Sequence, residues 1–130
     1  LNNVVFIDPV KKSQVQSVLK CFDVCYIGWR NDSLYRYGIA ANKIFDYLYS
    51  AKPIIHSFSG NGDLVQDYKA GITVPAEDPV ALSEAVLELY NLKEEERAVM
   101  GLRGHEAVKE HHEYGKLAGR LKAVLFEEHG

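Results

Sequence analysis

Short apolar runs alternate with helical periods along the first part of the chain, and the pattern then turns wholly helical. Val4-Val5-Phe6-Ile7 is an apolar run suited to a strand buried on both faces. Val15, Val18, Leu19 and Phe22 follow at helical spacing, and Val24-Cys25-Tyr26-Ile27 is a second apolar run. Residues 28–38 are polar and aromatic with no period, which predicts a long loop. A helix is expected over about 41–50, with Ile44, Phe45 and Leu48 on one face. Pro53-Ile54-Ile55-His56 reads as a third strand, its proline at the first position, where no ladder bond is lost. Gly60-Asn61-Gly62 opens a short helix through Tyr68, Gly71 stands where a C-capping glycine belongs, and Ile72-Thr73-Val74 reads as a fourth strand.

Beyond about residue 78 only helices are expected. Asp78 is an N-cap with Pro79 at the first helical position, and Leu82, Ala85, Val86 and Leu89 form the apolar stripe. A charged helix runs over about 93–112, and Tyr114, Leu117, Ala118, Leu121, Val124 and Leu125 give a final helix one apolar face. Nearly all-apolar strands alternating with helices predict an α/β fold, a parallel sheet covered on both faces. Ligands of such sheets bind beyond the carboxyl ends of the strands, often at helix N-termini. Four loops qualify, at 8–12, 28–38, 57–62 and 75–78. The second far exceeds the usual two to six or so residues, which points to function.

Composition narrows the classes. A chain of 130 residues fits one domain with a real core, and 47% hydrophobic with 25% charged residues excludes disorder or a collagen-like chain. A net charge of −3 without a basic stripe gives no footprint for nucleic acid. No apolar run approaches the roughly 20 residues that span a bilayer. The opening Leu-Asn-Asn-Val has neither an initiator Met nor a signal-peptide pattern, so the chain reads as the interior of a longer protein. Cys21 and Cys25 lack the second ligand pair a zinc site needs. They are expected as two buried free thiols, one ending a helix and one in a strand, in keeping with a reducing cytoplasm.

Chemistry concentrates at the start of the 41–50 helix. Its first turn presents free backbone N–H groups and the positive end of the dipole to the loop above. Lys43 adds a full positive charge there, where a cation is disfavoured unless an anion compensates it. Asp46, one turn on, has the spacing to reach past a bound phosphate to a ribose diol. From the residues alone, both suit a solvated helix face somewhat better than a site. His56 fits a satisfied core or edge histidine better than a site residue, and His111-His112 a solvated helix end. Glu94-Glu95-Glu96 suit the first turn of their own helix and need no ligand. Trp29, Tyr35 and Tyr37 are placed either to stack on a base or sugar or to pack the loop.

Phe6-Ile7-Asp8-Pro9-Val10, Asp23-Val24, Asn42-Lys43-Ile44-Phe45-Asp46-Tyr47, Lys52-Pro53-Ile54-Ile55, Gly71-Ile72-Thr73-Val74-Pro75 and Glu77-Asp78-Pro79 follow in order. Together they resemble the C-terminal portion of retaining GT-B glycosyltransferases of family 4, especially those of bacterial cell-surface polysaccharide synthesis. The resemblance covers essentially the whole chain. It implies a Rossmann-like donor-binding part over 1–130, with the acceptor domain and the first strands of the donor domain absent. It further implies a nucleotide-sugar donor, UDP foremost, and a glycan or lipid-linked acceptor. No metal and no cofactor beyond the donor substrate are implied, since no Asp-x-Asp pair occurs.

By position, Asp46 matches the family's second acid, which binds ribose, although Glu is usual there. Eight positions earlier stands Gly38, where the family carries its first acid against the transferred sugar. Ala41, Asn42 and Lys43 match positions around the diphosphate, with Lys43 the catalytic cation, and Val10 a position near the base. The implied mechanism retains anomeric configuration and stabilises the leaving diphosphate electrostatically. A cytoplasmic location follows, with peripheral membrane association of the full-length protein and self-association of the isolated part. Two rivals stand beside this reading. A sugar-nucleotide epimerase would need acid/base carboxylates and a histidine. A non-catalytic relative is favoured by Gly38.

Overall fold

The computed structural model describes residues 2–34 and 42–111. A 3-10 turn over Lys12–Gln14 leads into α1 (Val15–Leu19), followed by β1 (Cys25–Gly28), α2 (Asn42–Tyr49) and β2 (Ile54–Ser57). The short α3 (Leu64–Asp67), β3 (Gly71–Val74), α4 (Pro79–Asn91) and α5 (Glu94–His111) complete the order. The strands form one parallel sheet in the order β1-β2-β3, each reached from the last by a helical crossover. The expected α/β, Rossmann-like architecture is present.

Strand register sorts the side chains into two layers. Cys25, Ile27, Ile54, His56 and Thr73 share one face, because Cys25 pairs with Ile54 and Ile27 with His56, which in turn pairs with Thr73. On that side Leu19, Ile44, Leu48, Val65, Ala70 and Val108 close the larger core. On the other face Ile55 and Val74 pack under Ala85 and Leu89 of α4. Helices therefore cover both sides, but unequally. α4 lies on β2 and β3, so only β2 is buried at every position, whereas β1 alternates buried and exposed residues. The strands' apolar composition alone had suggested burial of each on both faces; β1 is an edge strand, and its Tyr26 stays 51% exposed.

Helix ends follow capping chemistry. Asp78 accepts the Ala81 N–H and Pro79 takes the first turn, as its missing N–H allows. At α5, Glu96 reaches back to the Lys93 N–H at 3.1 Å, and three glutamates occupy the first turn. Arg97 closes the other end of the α4–α5 junction by donating to the carbonyls of Leu89 and Leu92 at 2.9 and 2.7 Å.

Several expectations are corrected. Val4–Ile7 is not a strand: the run is apolar, but no strand lies beside it in the sheet, and Phe6 is 94% exposed. Without a ladder partner, apolar composition does not make a strand. Gly71 does not cap α3. The left-handed residue there is Lys69, at φ 54°, while Gly71 opens β3. Its lack of a side chain serves packing instead, since a β-carbon would lie 1.7 Å from the Ile54 carbonyl oxygen. Cys25 is buried as expected, and burial pushes its thiol up against the opposing effects of a Ser50 hydrogen bond and the Lys52 charge. Cys21 is exposed, because it lies in the turn beyond α1 rather than on its inner face. The final helix expected around 114–125 lies outside the described residues.

α2 and α5 pack closely through two glycines of α5. A β-carbon at Gly101 would stand 1.9 Å from the Ala51 carbonyl oxygen, and one at Gly104 would meet Ala70 and Leu48 at 2.9 Å. Helix propensity favours Gly101→Ala by about 1 kcal/mol. The clash is with backbone, which cannot rotate away, so overpacking prevails and G101A lowers unfolding stability by about 1–3 kcal/mol. Urea denaturation of the variant beside the parent checks this sign.

Candidate functional site

Parallel strands put all their carboxyl ends at one side of the sheet, and the segments after β1, β2 and β3 gather there. The ladder continues past the strands, with Trp29 N–H on the Ser57 carbonyl and Phe58 N–H on the Val74 carbonyl. Below these loops a buried polar network ties the strand ends. Trp29 Nε1–H donates to His56 Nε2 at 2.9 Å, and His56 Nδ1 lies 2.9 Å from Asp63 Oδ1. An indole N–H can only donate, so His56 Nε2 must accept and Nδ1 carries the ring proton. Thr73 Oγ1 donates to the other carboxylate oxygen, and the Val65 and Gln66 N–H groups of α3 donate to the first at 3.1 and 3.3 Å.

His56 is fully buried, stacked on Phe58 with ring centroids 4.8 Å apart. It is the satisfied core histidine its place in the sequence suggested. Trp29, for which stacking on a ligand and packing were both open, hydrogen-bonds into this network. Burial alone would raise the Asp63 carboxyl, but hydrogen bonds from His56, Thr73 and the α3 backbone hold it below its ordinary value. The one signal in the sequence that could have found Asp63 is its place just ahead of Leu64-Val65, where an N-cap belongs. Its reach to Thr73 across the sheet had none.

α2 begins at this end of the sheet. Asn42 is its first residue, and Lys43 and Asp46 are both exposed on it. The start of an eight-residue helix leaves backbone N–H groups without intrahelical partners. α1 lies against α2, and Gln16 Nε2 donates to the Asp46 carbonyl at 3.0 Å, leaving the Asp46 carboxylate outside that bond. Val10 is half-buried ahead of the 3-10 turn that leads into α1. Gly38 and Ala41, like Tyr35 and Tyr37, lie outside the described residues. The structure thus places Asn42, Lys43 and Asp46 on one short helix at the carboxyl end of the sheet and does not place Gly38 or Ala41. Among the described residues no group of three or more His, Cys, Asp or Glu is arranged to hold a metal ion. No helix among them is long and apolar enough to cross a membrane.

A parallel sheet with helices on both faces, its loops gathered over the strand ends beside a helix N-terminus, defines an α/β protein of Rossmann-like type. Residues 1–92 match the family model of glycosyl transferases group 1, and the chain belongs to that family. Glycosyl transfer, with a nucleotide-sugar donor and an acceptor as its general partners, is the class of function this membership carries. No curated protein and no solved structure matches the chain.

The network makes acid stability a property of Asp63. Its carboxyl is held lower in the folded chain than in the unfolded one, so its contribution is complete above the unfolded value near about pH 4 and fades as the pH falls through the folded value. Asp63→Ala leaves the His56 N–H and the Thr73 hydroxyl unpaired and costs about 1–3 kcal/mol for each at neutral pH. Asp63→Asn keeps an acceptor for His56, loses less at neutral pH and flattens the acid limb. Denaturant unfolding of the three proteins between pH 3 and pH 7, roughly the range set by ordinary carboxyl groups, checks both outcomes.

Proposed function

We propose that the chain is the donor-binding part, residues 1–130, of a retaining GT-B glycosyltransferase that moves a sugar from a nucleotide diphosphate, foremost UDP, to a glycan or lipid-linked acceptor in cell-surface polysaccharide synthesis. The observation that carries the reading is the start of α2 at the carboxyl end of the parallel sheet, with Lys43 and Asp46 exposed one turn apart. In this reading Ala41 and Asn42, the free N–H groups in the first turn of α2 and the Lys43 ammonium take the diphosphate, Asp46 takes the ribose hydroxyls, and Val10 lies near the base. Gly38 stands beside the transferred sugar and offers it no carboxylate.

The chemistry asked of these groups is electrostatic. As the bond from the anomeric carbon to the diphosphate oxygen breaks, negative charge grows on the departing phosphate. A fixed cation and oriented N–H dipoles stabilise that charge without reorganising during the step. Lys43 is disfavoured at a helix N-terminus by the macrodipole, and a bound diphosphate removes the conflict. A separate domain positions the acceptor, and the whole enzyme works in the cytoplasm, at the inner face of the membrane. A non-catalytic module keeping the same donor site is the second reading, favoured by Gly38; sugar transfer by the intact protein decides between the two.

Titration of the intact protein with UDP, GDP and ADP tests the donor site, and binding of none of them sinks it. Asp46→Asn is expected to weaken nucleotide binding by about 1.5–3 kcal/mol, the worth of charge-assisted hydrogen bonds to ribose. Its effect on folding stays within about 1 kcal/mol because the side chain is exposed. Lys43→Ala is expected to lower kcat more than it raises the donor KM, since the charge it meets is largest in the transition state. An altered KM with unchanged kcat contradicts that role.

A further inference from the structure

The turn between β3 and α4 joins the loops that follow the other two strands. Ala76 donates its N–H to Ser59 Oγ at 2.9 Å, holding the segment after β2. The next residue, Glu77, accepts the Asn31 N–H on Oε2 at 3.0 Å, a contact across 46 positions of sequence that holds the segment after β1. Just beyond Asn31, Asp32 Oδ1 accepts the Leu34 N–H at 2.9 Å, so the tethered stretch is itself turned. Glu77 has a left-handed backbone at φ 58°, where glycine would be free of strain. Its neighbour Asp78 caps α4, so the start of that helix fixes where the Glu77 side chain is launched.

We propose that Glu77 is a positioning residue for donor binding: it holds the first turn of the β1–α2 connection over the strand ends through the Asn31 N–H. The inference rests on the reading of the α2 start as the donor site. A carboxylate on a backbone N–H is a strong type of hydrogen bond. Here both partners are exposed and water competes, so the contact adds little to global stability. Its effect falls on the orientation of the loop.

Three variants of the intact protein separate positioning from folding. Glu77→Ala keeps the left-handed strain and removes the acceptor. It is expected to leave the unfolding midpoint near that of the parent, to weaken UDP affinity about threefold to tenfold, the worth of one hydrogen bond, and to speed amide exchange at Asn31. Glu77→Gln offers its amide oxygen to the same N–H and restores affinity to within about twofold. Glu77→Gly relieves the strain, so it is at least as stable as the alanine variant yet binds UDP as weakly. Affinity that follows stability across the three, or parental affinity and exchange in Glu77→Ala, overturns the proposal. If the parent binds no nucleotide, the donor reading falls and this one with it. Failure of this inference alone shows as tight binding by both parent and Glu77→Ala.

Discussion

Asp63 holds more of this structure in register than any other side chain described. Its carboxylate receives His56 from β2, Thr73 from β3 and the first N–H groups of α3, and His56 passes the connection on to Trp29 at the end of β1. Three strands and a helix cap thus meet in one buried chain of donors and acceptors. Such a network must be complete, because each group left unpaired away from water carries its full desolvation cost. The described buried side-chain polar atoms are all partnered. Apolar packing between the sheet and its helices supplies cohesion without direction. The network supplies direction, because only one relative placing of the three strand ends satisfies every member.

That constraint sits directly beneath the loops of the candidate site. With the strand ends locked, the connections leaving them start from fixed points, and the turn at residues 75–78 can reach both of the others. Function in an open parallel sheet lies on its loops, and loops hold position only as well as the scaffold they leave. The division of labour is physical. Dry, fully paired groups below give rigidity, and exposed charges above remain available to a ligand.

Much of the layout could be read from the residues, because the signals that specify it are local. The apolar runs at 24–27 and 53–56, the period of Ile44 and Leu48, and the Asp78-Pro79 helix start each act over a few positions, and each has its structure. What could not be read depends on partners remote in sequence. Val4–Ile7 has the composition of a strand and no neighbour to pair with. Gly71 looked like a cap because it follows a helix, whereas its reason is the Ile54 backbone across the sheet. For the site, the place of Asn42, Lys43 and Asp46 on the first turns of α2 followed from periodicity. The bonds of Asp63 to Thr73 and of Glu77 to Asn31 could not, since no spacing rule relates those residues.

The close seat of α5 on the turn after α2 bears on the proposed donor site at the other end of that helix. Gly101 backs onto the Ala51 carbonyl, just beyond the last residue of α2, and so wedges the heel of a helix whose tip lies at the carboxyl end of the sheet. A helix of eight residues is about 12 Å long. A tilt of about 5° at the heel carries the tip sideways by about 1 Å, and a misplacement of that size at a reacting group can slow an enzyme about a hundredfold. For the proposed donor site, residue 101 therefore bears on the geometry without approaching the substrate: α2 is a lever, α5 is its stop, and drift at the stop is read out at the tip.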